Sequence, residues 1–210
     1  NNVSKKIKQK LYTKITEGDI QESLKIYEEY IKTFNTVDFF DKILKPVMSK
    51  VGSDWESGKI SVGTEHVASN IAHTLVKSIM EPVNRRVNKK KILICVPIGE
   101  EHHLGCDVLE TYLSMNCFEV FNMCTSVPTE SILNFIDDNN PDIVLISITI
   151  SDNIDPGRRL VRKINKEFDI PVLVGGLAVQ ENTSLKFGGK IIGDLSLSDI
   201  KKKIGCEING

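Results

Sequence analysis

The sequence lacks an excess of charge of either sign, because 27 lysines and arginines stand against 28 aspartates and glutamates, for a net charge of −1. A balanced chain has no overall basic surface for nucleic acid or anionic lipid, so we expect these residues alone not to bind DNA. Long apolar runs are missing too. No stretch approaches the roughly 20 apolar residues of a membrane-spanning helix, and the first residues lack a signal peptide's apolar segment. We therefore expect a soluble, cytoplasmic protein that does not contact a membrane.

Paired cysteines are also absent. The five cysteines are an odd number, and no two have the Cys-x-x-Cys spacing. This pattern excludes a disulfide framework and a zinc site of the usual spacing, and we expect reduced, mostly buried thiols. An initial methionine is missing as well, from which we expect the sequence to be part of a longer protein. A length of 210 residues is sufficient for two modest domains, each with its own core.

Apolar residues recur with helical spacing up to about residue 83. A third helix contains Pro46, which we expect to kink it, and ends at Ser57-Gly58, where glycine can adopt the left-handed conformation. Ser61 is placed to cap the start of a fourth helix. Four amphipathic helices with short connections predict a four-helix bundle for residues 1–83.

A polar segment, residues 84–90, interrupts this pattern and predicts an exposed linker, with a nucleic-acid-binding patch as the alternative. In residues 91–210, strand-like apolar runs alternate with helical patterns, which predicts an α/β, Rossmann-like (flavodoxin-like) domain with a five-stranded parallel sheet. In such folds, ligands bind beyond the carboxyl ends of the strands, where the strand order reverses. The predicted strands are residues 91–97, 118–123, 142–148, 171–174 and 190–192.

A histidine-containing loop follows the first predicted strand, with the sequence Gly-Glu-Glu-His-His-Leu-Gly over residues 99–105. It puts His102 at the ligand-binding edge of the sheet. A neutral imidazole binds transition metals well, and Glu100 can accept the other ring proton and fix the tautomer. The alternatives are a surface histidine beside acidic residues, or His103 as the ligand if His102 points away.

Hydroxyls and glycines follow two further strands. The third ends in Ser147-Ile-Thr149, and the fourth ends in Gly175-Gly176, where a bulky group can approach closely. Together with the Glu-x-His-x-x-Gly string, these features resemble the cobalamin-binding domain of methionine synthase, the carbon-skeleton mutases and their relatives. The family's commoner Asp and Leu are replaced here by Glu100 and Thr149.

The resemblance implies a role for each of these residues. In that family, the motif histidine displaces the dimethylbenzimidazole base from cobalt, and the nucleotide tail threads into the sheet. The resemblance implies that His102 is the lower axial ligand of cobalt, with Glu100 and Gly105 in the same motif. It implies that Ser147 and Thr149 form hydrogen bonds with the buried base. It also implies that Gly175 and Gly176 leave space for the tail.

A second motif lies in the helical part, where nine residues separate Trp55 from Glu65-His66. This spacing resembles the Trp-x(9)-Glu-His signature of CarH-type photoreceptors, whose helical bundle covers a 5′-deoxyadenosyl group. The resemblance implies that Trp55 and Val62 pack against the upper ligand, while Glu65 and His66 contact it or brace the loop. The family's histidine after the tryptophan is replaced by Glu56. The alternative interpretation makes Trp55 a core residue and Glu65-His66 a solvated first helical turn.

Two functions remain open. The first is a non-catalytic sensor module of a transcriptional regulator that binds adenosylcobalamin, forms a homo-oligomer, and contacts DNA only through a domain absent from this sequence. The second is a corrinoid shuttle protein that carries a methyl group, as methylcobalamin, for a methyltransferase. In both, His102 is the cobalt ligand.

Overall fold

The computed structural model describes residues 2–79, 90–181, 184, 186–193 and 195–210. The chain divides into two compact units, Asn1–Glu81 and Pro82–Gly210. The predicted linker, residues 84–90, lies outside the described residues except for Lys90, so the predicted domain limits stay predictions. None of the helices in the described ranges combines the length and apolar character that crossing a bilayer requires.

The first unit is helical, as expected. Apolar side chains such as Leu11, Ile15 and Leu75 are fully buried and form its core. Asp19 caps the second helix by accepting the N–H of Glu22. The helices are α1 (Asn2–Thr16), α2 (Ile20–Ile31), α3 (Thr36–Asp38), α4 (Lys45–Glu56) and α5 (Val62–Ile79), with a π-helical segment (Phe39–Leu44) between α3 and α4.

Pro46 lies inside a continuous helical run, as expected, because α3, the π-helical segment and α4 follow one another without a break from Thr36 to Glu56. Proline has no N–H to donate, so it interrupts the hydrogen-bond pattern near the start of α4. The preceding π-helical segment links α3 to α4, and its last turn is closed by the N–H of Lys45 donating to the Phe40 carbonyl. The chain thus accommodates the proline by widening the turn before it.

The second unit is the predicted α/β domain. Its five strands are parallel and lie in the order β2-β1-β3-β4-β5. The strands are β1 (Lys91–Cys95), β2 (Glu119–Asn122), β3 (Ile143–Ser147), β4 (Val172–Gly175) and β5 (Lys190–Ile191). The helices are α6 (Leu104–Met115), α7 (Thr129–Asn139), α8 (Ile154–Glu167), α9 (Leu177–Glu181) and α10 (Leu197–Asn209), with a 3₁₀ turn (Ser151–Asn153) before α8. The expectation of a Rossmann-like domain is confirmed. Each observed strand begins and ends within two residues of the predicted bounds.

The central strands are buried on both faces, which explains their continuous apolar sequence. Every residue of Ile92–Cys95 and Ile143–Ile146 is buried. Helices α7, α8 and α9 contribute Ile132, Leu160 and Val179 to the same core cluster. The sheet therefore holds the loops at its carboxyl edge on a rigid base.

Candidate functional site

The candidate site of the second unit lies where the strand order reverses. Strand β1 pairs with β2 on one side and with β3 on the other, so the loops after β1 and β3 leave the sheet on either side of a topological switch point. In doubly wound sheets this is where ligands bind. The loop after β1 carries His102, and the loop after β3 carries Thr149.

His102 is exposed on the loop between β1 and α6, two residues before the helix begins at Leu104. The same loop turns at Gly99, whose φ of +90° lies in the left-handed region and whose N–H donates to Ser126 Oγ at 2.9 Å. The imidazole of His102 is thus presented to solvent from a loop held at its base.

Glu100, two residues before His102, is fully buried, and its carboxylate is engaged elsewhere. It accepts the backbone N–H of Thr149 at 2.6 Å and the side-chain N–H of Asn153. A buried carboxylate needs such partners, since leaving it without them would carry a large desolvation cost. Glu100 therefore ties the loop after β1 to the loop after β3, and the predicted pairing with His102 is not among the hydrogen bonds of the described residues.

The neighbouring His103 does have a carboxylate partner, which the sequence interpretation missed. Its Nδ1 lies 3.2 Å from Oδ2 of Asp107, which is nearly fully buried. Oδ1 of Asp107 accepts a hydrogen bond from Asn122 Nδ2 at 2.9 Å. The four-residue separation on one helix was the available sequence signal. His103 is therefore oriented at the start of α6, directly beside the exposed imidazole of His102.

Ser147 ends β3, opposite Gly175 of β4, and both are half-buried. The neighbouring Cys124 thiol and burial hold the pKa of the Cys106 thiol, on α6, well above its usual range. Of the five thiols, Cys95 and Cys106 are buried but Cys117 and Cys206 are exposed, so the expectation of mostly buried thiols is wrong for those two.

The glycines differ in what their missing side chains make possible. At Gly176, with φ of +106°, a Cβ would lie 2.3 Å from the carbonyl oxygen of Ile148, so glycine is required there by the passing backbone. At Gly175 a Cβ would make only an ordinary 3.5 Å contact. At Gly105, three residues after His102, a Cβ would have no atom within 4 Å. Open space thus lies beside Gly105, on the first turn of α6.

The motif residues of the first unit flank the turn between α4 and α5. Trp55 and Val62 are exposed to 42% and 53%, although both are large and apolar. Glu65 is only 16% exposed, and its carboxylate oxygens lie 3.0 Å from Ser69 Oγ and 2.5 Å from His66 Nδ1. The alternative interpretation required Trp55 to be a core residue, and its exposure shows that it is not. Glu65 is held in place by two neighbours.

The turn itself is closed by hydrogen bonds on both sides. The N–H of Gly58 donates to the Trp55 carbonyl, and Gly58 has a φ of +76°. Ser61 Oγ accepts the N–H of Thr64, as the predicted cap should. These contacts fix the ends of α4 and α5 from which the exposed side chains project.

Known protein families cover most of the chain. Residues 90–191 match a B12 binding domain family, and residues 7–79 match a second B12 binding domain family. The chain belongs to the B12-binding family. Cobalamin is therefore its ligand.

Two relatives of this B12-binding chain differ in their described roles. The HTH-type transcriptional repressor CarH of Myxococcus xanthus is 24% identical over 162 residues, which is 76% of this chain and 54% of that protein. The chain thus spans about half the length of the CarH repressor. Trimethylamine corrinoid protein 1 of Methanosarcina acetivorans is 23% identical over 199 residues, which is 90% of this chain and 91% of that protein.

Solved structures share the fold. The Methanosarcina barkeri monomethylamine corrinoid protein gives a TM-score of 0.77 at 16% identity, over 96% of this chain and 99% of that one. The methanol:cobalamin methyltransferase complex MtaBC from the same organism gives a TM-score of 0.53 at 18% identity, over 98% of this chain and 80% of that one.

The donors of the B12-binding chain fit cobalamin. An exposed imidazole suits a cobalt ion, and open space at Gly105 leaves room for a bulky group beside it. Of the motif glycines Gly175 and Gly176, Gly176 leaves no space for a ligand, because its Cβ position is filled by the Ile148 backbone.

Proposed function

We propose that this chain is a sensor module that binds adenosylcobalamin, with His102 as the lower ligand to cobalt and with the residues around the α4–α5 turn contacting the upper ligand. The observation that carries the proposal is the exposure of Trp55 and Val62, two large apolar side chains on either side of the α4–α5 turn. On the first turn of α5, the Glu65 carboxylate is held by Ser69 and His66.

On the lower side, His102 supplies the imidazole, and Glu100 supports it through the loop. Glu100 bonds to Thr149 and Asn153, so it holds the two loops at the switch point at a constant separation. Ser147 supplies a hydroxyl for the nucleotide base, with Thr149 beside it, and Gly105 and Gly175 leave space for the bound molecule. When bound, cobalamin supplies a cobalt–carbon bond that can be broken, which makes the upper ligand a signal.

On the upper side, the exposed surface fits a nucleoside better than a methyl group. Exposed large apolar side chains next to a positioned polar group are typical of a ligand-binding surface. An adenosyl group offers a ring for Trp55 and Val62 and hydroxyls for Glu65. A methyl group has too little surface to contact four side chains.

A sensor of this kind works by population shift, since a ligand that binds one conformation better than another changes their ratio. Here the state of the upper ligand would change the oligomeric state of the chain. DNA binding, as in the CarH repressor, would belong to a region outside this sequence. In that role the chain is not an enzyme.

A corrinoid carrier is the second candidate, and the extent of the match favours it. The chain covers 91% of trimethylamine corrinoid protein 1 but only 54% of the CarH repressor. In a carrier, the bound form would be methylcobalamin and the partner a methyltransferase. Glu56, where CarH-type proteins have histidine, is compatible with this role.

Absorbance titrations with adenosyl-, methyl- and hydroxocobalamin test the ligand assignment. The wild-type chain should give the spectrum of a cobalamin whose base has been replaced by histidine, and His102→Ala should lose it. His103→Ala is the matched control, because it removes the adjacent imidazole and should retain that spectrum. If His103→Ala loses the spectrum and His102→Ala keeps it, the cobalt ligand is His103 and the assignment to His102 is wrong.

The two candidate roles are separated by the upper ligand. Trp55→Ala should weaken binding of adenosylcobalamin by about tenfold, since a buried aromatic contact is worth about 1–2 kcal/mol, and should leave methylcobalamin binding within about twofold. Equal losses for the two cobalamins would contradict the sensor. Turnover of bound methylcobalamin by a methyltransferase would favour the carrier.

A further inference from the structure

A concave surface lies in the first unit, apart from the α4–α5 turn, and is formed by residues of α1 and α4. It is a groove with a cavity volume of about 520 Å³. That size is within the usual range of small-molecule sites, roughly 300–1,000 Å³. We call it the α1–α4 groove, and it is lined by Lys5, Lys8, Gln9, Tyr12, Thr13, Pro46, Val47 and Lys50.

The charge of the groove is strongly positive. Helix α1 carries five lysines and no acidic residue, in a chain whose net charge is −1. Three lysines line the groove. Lys50 is paired with Asp54 at 2.8 Å, whereas among the described residues no carboxylate lies within ion-pair distance of Lys5 or Lys8. Lys14, on the same helix, is neutralised by Glu17 at 3.2 Å. The positive charge of α1 is thus left uncompensated at the groove.

One wall of the groove is held in place by a hydrogen-bond network. Tyr12 donates its hydroxyl proton to Asp54 Oδ2 at 2.6 Å, and Lys50 Nζ donates to the same oxygen at 2.8 Å. Lys50 Nζ also lies 5.0 Å from the centre of the Tyr12 ring, a cation–π distance. A lysine that is already ordered loses less side-chain entropy when it binds a ligand.

From these features we infer that the α1–α4 groove binds a small organic phosphate of the nucleotide class. The ammonium groups of Lys5 and Lys8, with that of Lys50 held by Asp54 in the same lining, match an oligophosphate, for which lysine is a common point-charge ligand. Gln9 and Thr13 add hydrogen-bonding groups, while Tyr12, Pro46 and Val47 provide apolar walls for an organic moiety. This inference does not depend on the function proposed for cobalamin.

The groove is connected to the α4–α5 turn through Asp54. The carbonyl of Asp54 accepts the backbone N–H groups of Lys59 and Ile60, and the next residue is Trp55. Because Trp55 is the single tryptophan of the chain, its fluorescence is a built-in probe of this region.

The test is calorimetric titration of the full chain, without cobalamin, with ATP, pyrophosphate and inorganic phosphate at about 0.15 M salt, where charges more than about 8 Å apart are largely screened. We expect saturable ATP binding with a dissociation constant below about 1 mM, which corresponds to about 4 kcal/mol, from screened charge pairs with Lys5 and Lys8, a contact with the ordered Lys50, and apolar contact. Pyrophosphate should bind more weakly, and inorganic phosphate least. The double substitution Lys5→Glu and Lys8→Glu should weaken ATP binding about tenfold or more. Titrations followed by Trp55 fluorescence should rank the affinities of the ligands and variants in the same order.

The matched control is Lys6→Glu with Lys10→Glu, which makes the same charge change on α1 at positions that do not line the groove. It should alter ATP affinity by less than about threefold, because exposed charges outside the groove are screened by salt. Equal losses in the two double variants would overturn the inference, since diffuse charge would then explain the binding. So would the absence of saturable ATP binding up to about 10 mM, whether or not a poly-glutamate peptide or a single-stranded oligonucleotide binds.

Discussion

At the scale of single residues, Glu100 is the group on which the two loops at the switch point depend. Glu100→Gln keeps the size of the side chain but turns one acceptor into a donor that faces the Thr149 N–H or the Asn153 amide. We expect a loss of about 1–3 kcal/mol in the free energy of unfolding, the cost of an unsatisfied buried polar group. Urea unfolding followed by circular dichroism measures it.

Glu101→Gln is the matched control for Glu100→Gln, because Glu101 is the exposed neighbour on the same loop. Its unfolding midpoint should stay within the error of the wild type, as surface substitutions usually do. A similar midpoint shift in both variants would show that the loss does not come from the buried hydrogen bonds of Glu100.

Two glycines separate a backbone requirement from space for a ligand. Gly176→Ala puts a Cβ 2.3 Å from the Ile148 carbonyl oxygen at a φ of +106°, so we expect destabilisation by about 3 kcal/mol or more. Gly105→Ala adds a Cβ into open space on a helix, which should leave stability unchanged or raise it by up to about 1 kcal/mol. Only Gly105→Ala should weaken cobalamin binding without weakening the fold. Unfolding and titration curves of both variants, measured together, test the contrast.

The residue types of the candidate site could be predicted from the sequence, but their partners could not. The positions of His102 and Ser147 follow from where strands end, which is a local pattern. The hydrogen bonds of Glu100 reach residues 49 and 53 positions further along the chain, and no spacing rule covers such contacts. The His103–Asp107 pair had a local signal in its four-residue separation and was predictable.

At the scale of secondary-structure elements, α1 and α4 are joined by the hydrogen bond from Tyr12 to Asp54. Burial and this hydrogen bond raise the pKa of Tyr12 from its ordinary value of 10.0 to about 12. Hydrogen bonds from Lys50 and Tyr12 lower the pKa of Asp54. The two shifts make the contribution of this contact depend on pH at both extremes.

Tyr12→Phe tests the contribution of that contact. The folded chain keeps the Tyr12 proton up to about pH 12, whereas the unfolded chain loses it near pH 10, so this stabilisation is present below about pH 10 and lost between the two values. The lowered pKa of Asp54 works in the opposite direction, and its contribution is lost as the pH falls through its ordinary range. At neutral pH we expect Tyr12→Phe to cost about 1 kcal/mol, the usual value for one hydrogen bond.

Two measurements check the Tyr12 prediction. Urea unfolding at neutral pH gives the stability loss, and tyrosinate absorbance between about pH 9 and pH 13 gives the ionisation. Asp54→Asn should move the late tyrosine ionisation to lower pH, because it removes the carboxylate that disfavours the phenolate. Burial also raises the pKa of Tyr30, so one late ionisation should remain in Tyr12→Phe. An unchanged number of late-ionising tyrosines in Tyr12→Phe would contradict the assignment to Tyr12.

The elements were predictable where one period dominates the sequence. The central strands of the sheet are continuous apolar runs, and their positions follow from that pattern. The π-helical segment Phe39–Leu44 was missed, because its residues have the same apolar character as an α-helix and only the hydrogen-bond register differs. The proline that follows was the one local clue.

At the scale of the whole molecule, the two units carry different parts of the proposed site. The proposed cobalt ligand, His102, belongs to the second unit, and the residues proposed to contact the upper ligand belong to the first. Both units match B12 binding domain families, so cobalamin binding by itself does not distinguish a sensor from a carrier. The distinction depends on what happens when the upper ligand is lost.

Light provides that test, and Glu56 makes it specific to this chain. CarH-type proteins resemble this sequence around Trp55 but have histidine where Glu56 lies exposed at the end of α4. A carboxylate cannot replace imidazole as a strong nitrogen ligand to cobalt, so illumination of the wild-type adenosylcobalamin complex should not produce the spectrum of cobalt with histidine on both sides. Glu56→His should produce it, because the substitution supplies the missing nitrogen donor.

The size of the complex decides between the two roles. For a sensor, gel filtration in the dark and after illumination should give different oligomers in the wild type, and Glu56→His should make the illuminated state longer-lived. Glu56→Gln is the matched control, since it removes the charge without adding a metal ligand, and its illuminated spectrum should follow the wild type. A carrier has no reason to change its assembly when the upper ligand leaves. An unchanged elution volume for all three proteins, dark and illuminated, would therefore contradict the sensor and leave the methyl carrier as the function that the residues support.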